Sequence, residues 1–362
     1  MVSAAIGLMS GTSLDGVDGV VFDARNKRLL EHVFVPYDAK LKTACRLASQ
    51  SAMFSFAAIA ELTAEITEHY CRALDLLLNK TPSEIELHVI GAHGQTIHHA
   101  PNLRSPYSCQ LLDGSVIASS YNKAVICDFR RNDMALGGQG APLAPVFHRY
   151  LFNIEPSTVI LNLGGIANIT YLDHEFKIRG FDTGPANCLI DEWCQFSQNQ
   201  PYDEDGQWAS TGRLNENLLA ALKQHPFFTQ MLPKSADKEI FSREWLHTIL
   251  QGYDEINACD VQRTLAQFTV DSVWEAIHQV NPTCCNLIVC GGGARNTFLM
   301  QLFNEKLDWD VVTCDQLGFP AEAIEAMMMA WLADLRIKEI KVDLTTVTGA
   351  SRPSHLGAVY LP

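Results

Sequence analysis

Residues 6–22 have the sequence Ile6-Gly-Leu-Met-Ser-Gly-Thr-Ser-Leu-Asp-Gly-Val-Asp-Gly-Val-Val-Phe22. A polar turn bounded by Gly11 and Gly16 separates two apolar segments, a pattern that predicts a β-hairpin. Residues 158–170, Thr158-Val-Ile-Leu-Asn-Leu-Gly-Gly-Ile-Ala-Asn-Ile-Thr170, repeat this scheme of strand, glycine turn and strand. We therefore expect a second half that begins like the first, with the two polar turns facing each other across a cleft.

The remaining pattern alternates strands with helices and predicts an α/β protein. Short apolar runs predict further strands at residues 32–35, 87–90, 125–127, 176–178 and 286–290, and a last strand within 351–361. Apolar residues at helical spacing predict helices at 54–78, 215–224 and 260–279.

The length of 362 residues exceeds what one hydrophobic core usually organises, so we expect two domains. Glycine and proline are dense in Gly137-Gly-Gln-Gly-Ala-Pro142, which predicts a hinge. We place an N-terminal lobe at residues 1–132 and a C-terminal lobe at 133–346. The segment 347–362 is expected to pack back on the N-terminal lobe.

The amino-acid composition argues against several classes of partner. The net charge of −14, without a basic run, disfavours binding to nucleic acid or to anionic membranes. Eleven cysteines are scattered, with one adjacent pair, and are expected to be reduced thiols. Neither a signal-peptide pattern nor an apolar run of about 18 residues is present, so we expect a cytoplasmic protein.

The turn Gly11-Thr-Ser-Leu-Asp-Gly16 has the composition of a phosphate-binding loop. Glycines let phosphate oxygens approach the backbone, and the hydroxyls of Thr12 and Ser13 can donate to them. Asp15 could orient Mg²⁺ or its waters. The turn lacks the Lys of a Walker A loop, and a simple hairpin turn remains the alternative.

A second glycine motif, Gly291-Gly-Gly-Ala-Arg-Asn296, follows a predicted strand and precedes a helix. Its glycines could form a flat wall for adenine and ribose. A plain strand-to-helix connection is the alternative, because short glycine motifs occur by chance.

Asp182 lies in Phe181-Asp-Thr-Gly-Pro-Ala-Asn187, after one predicted strand and before a predicted helix. Open α/β sheets present catalytic groups at such strand ends. A carboxylate there could act as general base and take a proton from water or a hydroxyl. A turn or helix-cap aspartate is the alternative.

His93 and Gln95, in Ala92-His-Gly-Gln-Thr-Ile-His98-His99, are expected at the end of another strand, where neutral polar groups suit sugar hydroxyls. A metal site of His93, His98 and His99 is disfavoured, because no matching carboxylate or cysteine accompanies them.

Two further charged residues, Arg130 and Glu325, could reach a ligand. Arg130, in Asp128-Phe-Arg130, could bind a carboxylate or phosphate, or with Asp128 and Asp133 could form an ion pair between domains. Glu325 lies on a predicted helix with Glu322, where most glutamates are solvated. The following Met327-Met-Met329 is expected in the core.

Several of these motifs, taken in order, resemble the anhydro-N-acetylmuramic acid kinase family, in the superfamily of hexokinase, actin and the heat-shock chaperone ATPases. The resemblance lies in Gly7-Leu-Met-Ser-Gly-Thr-Ser-Leu-Asp-Gly-Val-Asp18, His93-Gly-Gln-Thr96, Asp128-Phe-Arg130 through Gly140-Ala-Pro-Leu143, Asn162-Leu-Gly-Gly-Ile-Ala-Asn168, Phe181-Asp-Thr-Gly-Pro185 and Gly291-Gly-Gly-Ala-Arg-Asn296. It implies a two-lobed actin-like (ribonuclease H-like) ATPase fold with mixed sheets flanked by helices.

The resemblance also implies a reaction and its residues. The family uses ATP and water to convert 1,6-anhydro-N-acetylmuramic acid into N-acetylmuramic acid 6-phosphate and ADP during recycling of cell-wall peptidoglycan. It implies Asp182 as catalytic base, Mg²⁺ at Asp15, and a homodimer. The implied ATP-binding residues are Gly11, Thr12, Ser13, Leu14, Asp15, Gly16, Val17, Asp18, Asn162, Gly164, Gly165, Gly291, Gly292, Gly293 and Asn296. The implied sugar-binding residues are His93, Gln95, Arg130, Asn168, Asp182 and Glu325.

One departure from the family lies at Ala236-Asp237, where a Thr-Gly pair is more usual. We expect it to alter local loop geometry and leave Asp182 unaffected. Two alternatives stay open: another sugar kinase or phosphatase of the same fold, and an actin-like ATP-binding switch without catalysis.

Overall fold

The computed structural model describes residues 2–50, 54–232, 234–236, 238–253 and 255–362. Its strands are β1 (Val2–Ser10), β2 (Gly16–Asp23), β3 (Arg28–Pro36), β4 (Ile85–Ala100), β5 (Tyr107–Leu111), β6 (Val125–Cys127), β7 (Thr158–Leu163), β8 (Ile166–Leu172), β9 (Ile178–Pro185), β10 (Asn286–Cys290), β11 (Asp310–Thr313) and β12 (Ala358–Tyr360). Its α-helices are α1 (Ala39–Gln50), α2 (Phe56–Lys80), α3 (Gly114–Tyr121), α4 (Arg131–Ala135), α5 (Ala144–Phe152), α6 (Asn187–Gln198), α7 (Gln207–Thr211), α8 (Glu216–Leu222), α9 (Arg243–Leu250), α10 (Ala258–Val280), α11 (Thr297–Lys306) and α12 (Ile324–Ile337).

The chain divides into two compact units. Unit 1 contains residues 1–147 and 322–362, and unit 2 contains residues 148–321. The borders differ from those expected at 132/133 and 346/347. The later border differs because α12, which precedes residue 346, packs on β1, β2 and β4 of unit 1. A Cβ atom on Gly7 would lie 1.9 Å from the Ala326 carbonyl oxygen, and one on Gly91 would lie 2.2 Å from that of Met329. Two glycines in the sheet therefore let the helix backbone lie directly on it.

The sheet of unit 1 has the strand order β12-β6-β4-β1-β2-β3, with β5 added beside β4. β1, β2 and β3 form an antiparallel meander, whereas β1, β4 and β6 are parallel. β12 pairs antiparallel with β6, so the C-terminal residues return to this unit. From Ala4 to Ser10 β1 is buried throughout, as a central strand covered on both faces should be.

The sheet of unit 2 has the order β11-β10-β7-β8-β9. Its first three strands, β7, β8 and β9, again form an antiparallel meander, and β7, β10 and β11 are parallel. The five-strand scheme of unit 1 is thus repeated. This repeat of a mixed sheet with flanking helices confirms the predicted actin-like α/β class, which the family resemblance implied, and the repeated halves that the sequence echo indicated.

Most of the predicted elements are present, with some errors at local turns. The strands at 125–127 and 286–290 are confirmed, and the helix expected at 260–279 is α10. The strand expected at 176–178 is wrong, because Phe176 lies in a turn with φ 58° and β9 begins only at Ile178. His93 and Gln95 lie within β4, well before its end, because this strand continues to Ala100.

Candidate functional site

The turn between β1 and β2 presents two hydroxyl side chains to solvent. Thr12 and Ser13 are exposed, whereas the Leu14 side chain is buried beneath them. Gln95 Nε2 donates to the Gly11 carbonyl oxygen at 3.1 Å, and the Tyr37 N–H donates to the Asp15 carbonyl oxygen at 2.9 Å. Hydrogen bonds from β4 and from the residue after β3 therefore fix the backbone of the turn.

The remaining predicted phosphate-loop residues differ in exposure. Val17 is buried, and a Cβ atom on Gly16 would lie 2.2 Å from the Val35 carbonyl oxygen, so both positions serve packing. The Asp15 side chain is 67% exposed and lies 4.0 Å from Lys42. Asp18 is partly buried, with its Oδ1 atom 3.0 Å from His32 Nε2. Asp15 is thus the carboxylate of this turn that is open to a cation.

His93 and Arg130 form a hydrogen-bonded pair in unit 1. His93 Nδ1 donates to the Gly94 carbonyl oxygen at 2.8 Å, and His93 Nε2 accepts from Arg130 Nε at 3.2 Å. Burial, aided by the positive charge of Arg130, lowers the pKa of His93 to about 3. The imidazole is therefore neutral at physiological pH, with its proton on Nδ1.

Arg130 is a partly buried cation, and desolvation lowers the pKa of its guanidinium. Nη1 donates to the Gly140 carbonyl oxygen at 2.9 Å. Within the described ranges, no carboxylate lies within the 4.0 Å of an ion pair with this guanidinium. Burial raises the pKa of Glu325, an effect that Arg130 opposes and Asp18 reinforces. Glu325 is nevertheless exposed, so water reaches it.

The two aspartates near Arg130 have structural contacts inside unit 1. Asp128 pairs with Arg131 at 3.3 Å. Asp133 is buried, and its carboxylate accepts from the Gly140 N–H at 2.7 Å and from Thr348 Oγ1 at 2.8 Å. Asp133 therefore holds the glycine-rich segment predicted as a hinge, and neither aspartate neutralises Arg130.

The turn between β7 and β8 is held differently. The carbonyl oxygen of Gly164 accepts from the Asn187 N–H at 3.0 Å, and that of Gly165 accepts from Ala186 and Cys188 at 3.0 and 3.1 Å. The start of α6 thus fixes this turn. Asn162 and Asn168 lie opposite each other where the hairpin leaves the turn.

The loop after β10 lies against the same hairpin. Gly291 has φ 82°, and a Cβ atom there would lie 2.6 Å from Asn162 Oδ1. A Cβ atom on Gly293 would lie 2.7 Å from Leu163 Cβ, whereas one on Gly292 would meet no atom within 4 Å. Asn296 Oδ1 accepts from the Leu299 N–H and caps α11. Five predicted nucleotide-binding positions of unit 2 are therefore neighbours, with Gly292 the open one among these glycines.

Asp182 lies inside β9, opposite Asn168 of β8. The pairing then skips Thr183, so a β-bulge follows Asp182 directly and redirects the strand. The Asp182 N–H donates to the Lys234 carbonyl oxygen at 3.0 Å, and Asp182 Oδ2 accepts from the Ala236 N–H at 2.9 Å. The N-cap of α6 is Ala186, so the helix-cap alternative for Asp182 is wrong.

Comparison with known proteins identifies the family of this chain. The family model described as anhydro-N-acetylmuramic acid kinase matches residues 3–362. The chain belongs to this family. An anhydro-N-acetylmuramic acid kinase from Vibrio cholerae is 43% identical over 99% of this chain and 98% of its own, and one from Hydrogenovibrio crunogenus is 40% identical over 99% and 98%.

Solved structures resemble the chain more distantly. The (R)-2-hydroxyglutaryl-CoA dehydratase component A of Acidaminococcus fermentans is 10% identical over 91% of this chain and 97% of its own, with a TM-score of 0.48. This distance leaves the function to be argued from family membership and from the site.

The departure from the family pattern lies closer to Asp182 than expected. Ala236 donates its backbone N–H to the Asp182 carboxylate, so one residue of the departure contacts Asp182 directly. The contact uses the backbone, and any residue at position 236 can make it if the loop keeps its path. Asp237 lies outside the described residues.

Sequence reasoning missed two groups that support the predicted site residues. Ser10 Oγ lies 2.7 Å from Tyr70 Oη in the buried layer under the β1–β2 turn. Lys234, in the loop beside Asp182, lies over two phenylalanine rings. Neither has a sequence signal, because Ser10 and Tyr70 are 60 residues apart and Lys234 lies in a loop without periodicity.

The described residues contain neither a cluster of metal ligands nor a membrane-spanning helix. Within the described ranges, no group of three His, Cys, Asp or Glu side chains could hold a metal ion. In the same part of the chain, no helix is long and apolar enough to span a membrane.

Proposed function

We propose that this chain is an ATP-dependent kinase that converts 1,6-anhydro-N-acetylmuramic acid and water into N-acetylmuramic acid 6-phosphate and ADP. Its place would be the recycling of cell-wall peptidoglycan in the cytoplasm. The observation that carries the proposal is the Asp182 carboxylate, oriented by a backbone hydrogen bond from Ala236 in a chain of this family.

Asp182 acts as general base. It takes a proton from the water that attacks the anomeric carbon, and the bond from that carbon to the bridging oxygen breaks. The bridging oxygen then bears the electron pair and accepts the γ-phosphoryl group of ATP, releasing ADP. A positioned carboxylate suffices, because the enzyme supplies orientation and charge stabilisation rather than a nucleophile.

The residues proposed to bind the sugar are His93, Gln95, Arg130, Glu325 and Asn168. Gln95 is fully buried, and its Oε1 atom has no hydrogen-bond partner within the described ranges. An unpaired buried acceptor is costly unless a ligand hydroxyl or water satisfies it. Arg130 offers a partly buried cation with no carboxylate within 4.0 Å among the described residues, which suits an anionic substituent such as the lactyl carboxylate.

The residues proposed to bind ATP fall into two groups. In unit 1, residues 11–18 form the proposed phosphate-binding turn, with the backbone and the Thr12 and Ser13 hydroxyls as donors and with Gly16 and Val17 in packing roles. In unit 2, Asn162, Gly164 and Gly165 are assigned to the phosphates, and residues 291–293 and Asn296 to adenosine. Gly291 and Gly293 are places where a side chain would clash, and Gly292 is open to a flat ligand.

Mg²⁺ accompanies ATP and neutralises phosphate charge. Mg²⁺ is usually held by one or two carboxylates together with substrate phosphates and water, so a cluster of protein ligands is not required. Asp15 fits this role through its exposed carboxylate at the turn. We also propose a homodimer, the commonest form of soluble oligomer.

The test is an assay of ADP release with anhydro-N-acetylmuramic acid, glucose, glycerol and acetate as separate substrates. We expect turnover with the anhydro sugar alone. Phosphorus NMR of the product formed in ¹⁸O-labelled water should show phosphate on the 6-oxygen, and mass spectrometry should find the label on the anomeric carbon. Turnover only with the other acceptors, or label in the phosphate group, would overturn the proposal.

A further inference from the structure

Asp182 is held by a short segment of an adjacent loop. Residues 234–236 provide an acceptor for the Asp182 N–H, at 3.0 Å, and a donor to Asp182 Oδ2, at 2.9 Å. Among the described strands, β9 is the edge strand of its sheet, so none of them fixes Asp182 from that side. The direction of the carboxylate therefore depends on where this segment lies.

The side chain of Lys234 anchors the segment. Lys234 Nζ donates to the Phe227 carbonyl oxygen at 3.3 Å. It also lies 4.4 Å from the centre of the Phe227 ring and 5.4 Å from that of Phe228, the geometry of a cation–π contact. Partial burial lowers the pKa of Lys234, consistent with an ammonium group that is partly removed from water.

The two phenylalanines form a rigid platform. Phe227 is fully buried and packs against Phe241, with ring centres 5.4 Å apart. Phe228 packs against Phe268 at 5.4 Å and also against β9, since a Cβ atom on Gly184 would lie 3.1 Å from its ring. Phe228, which holds Lys234, therefore contacts β9 at Gly184, two residues after Asp182.

We infer that Lys234 is a positioning residue for Asp182. Its ammonium group, fixed on the Phe227–Phe228 platform, holds residues 234–236 so that the Ala236 N–H points at the Asp182 carboxylate. This inference rests on the proposed function for the role of Asp182 as base. Without the anchor, the segment moves, the hydrogen bond weakens, and the carboxylate loses both its direction and a donor that favours its charged form.

The kinetic test compares three lysine variants. Lys234→Met keeps the aliphatic stem and removes the charge, whereas Lys234→Arg keeps a cation that can lie over the rings. Lys306→Met is the matched control, because Lys306 also lies over an aromatic ring, that of Trp274, and pairs with Asp271. We expect Lys234→Met to lower kcat about tenfold to a hundredfold, the cost of a misplaced catalytic group. The KM for ATP should not change, and Lys234→Arg should recover most of kcat.

The pH dependence gives a readout that a purely structural role would not move. A hydrogen bond to a carboxylate lowers its pKa, so its loss raises the pKa of Asp182. Activity requires the deprotonated form, so the acid limb of the kcat profile of Lys234→Met should shift to higher pH. Phe228→Leu, which keeps the lysine charge and disturbs the platform, should shift it in the same direction. An effect of charge alone would leave Phe228→Leu like the wild type.

A measurement without substrate separates this inference from the proposed function. In protein carrying ¹³C-labelled aspartate, the Asp182 carboxyl signal, assigned with Asp182→Asn, should titrate at higher pH in Lys234→Met than in the wild type or in Lys306→Met. If the wild type fails to turn over the anhydro sugar, the proposed function falls, and this titration still decides whether Lys234 orders Asp182. An unchanged titration in Lys234→Met, or equal losses of kcat in both Met variants, would overturn the inference.

Discussion

The hairpins that begin units 1 and 2 share a strand order but differ in how their turns are held. In unit 1 the side chain of Gln95 holds the Gly11 carbonyl, and Thr12 and Ser13 remain exposed. In unit 2 backbone N–H groups at the start of α6 hold the Gly164 and Gly165 carbonyls. The same scaffold therefore supports one turn that offers side-chain donors and another whose properties depend on glycine and backbone geometry.

The third strands of the two meanders differ as well. On β3, His32 contacts Asp18 of the neighbouring strand and closes a local pair. On β9, Asp182 is followed by a bulge and is fixed by a loop. Unit 1 thus concentrates buried hydrogen-bonding groups and a partly buried cation, whereas unit 2 carries Asp182, the proposed base.

The largest effect should come from Asp182, which tests whether the third strand of unit 2 carries the chemistry. Asp182→Asn removes the base and keeps the shape, so kcat should fall by about 10²- to 10⁴-fold with ATP affinity retained. The measurements are sugar-dependent ADP release and calorimetric titration with ATP.

The matched control is Asp173→Asn, at the β8–β9 turn, where the carboxylate bonds to Arg179. It should leave kcat near the wild-type value. Unchanged turnover in Asp182→Asn would show that β9 does not carry the base, so that β3 and β9 would no longer differ in function.

The second effect concerns the glycines beside the unit 2 turn. Gly291→Ala places a Cβ atom 2.6 Å from Asn162 Oδ1 at a φ of 82°, so we expect a loss of about 1–3 kcal/mol in the free energy of unfolding and weaker ATP binding. Gly292→Ala is the control, because its Cβ atom meets nothing within 4 Å and stability should be retained. Urea unfolding measures both, and equal stability of the two variants would contradict the close packing of Gly291.

The third effect compares one buried histidine from each unit. Burial lowers the pKa of His93 to about 3 and that of His148 to about 4, both from 6.5. The folded state keeps them neutral while the unfolded chain takes up protons below about pH 6.5, so the free energy of unfolding falls as the pH falls. From pH 7 to pH 5 each histidine should account for about 2 kcal/mol of that loss.

Urea unfolding at the two pH values measures this effect. His93→Gln and His148→Gln should each reduce the difference between pH 7 and pH 5 by that amount, whatever their stability at pH 7. A variant with the same pH difference as the wild type would show that its histidine is not held neutral.

The smallest effect should come from the exposed carboxylate of the unit 1 turn. Asp15 is 67% exposed and its contact with Lys42 is long, so Asp15→Asn should change the free energy of unfolding by less than about 0.5 kcal/mol. If Asp15 helps to hold Mg²⁺, the concentration required for half-maximal activity should rise. Lys42→Ala should leave that concentration unchanged, and equal Mg²⁺ dependence in Asp15→Asn and the wild type would remove Asp15 from the metal site.

Much of the fold followed from local pattern. Short apolar runs located β6 and β10, and helical spacing located α2 and α10, because both signals arise within a few consecutive residues. The border between the units did not follow, since it depends on α12 lying on a sheet whose strands are far away in the chain. Gly7 and Gly91 permit that contact, but no local rule says which helix will use the space.

As with the fold, only part of the candidate site could be predicted from the sequence. Its residues were identified through motifs and the family resemblance, but their surroundings were not. The coupling of Asp182 to residues 234–236 and to Lys234 crosses about 50 residues of sequence, and a loop segment carries no periodicity that would predict it.

The sequence by itself determined the class of protein, the order of its elements and the identity of the polar residues, because these depend on composition, local spacing and whole motifs. Only the tertiary structure decided the proton position on His93, the unpaired acceptor of Gln95 and the direction of the Asp182 carboxylate. These properties depend on burial and on hydrogen bonds within the folded chain, so they exist only once distant segments have packed together.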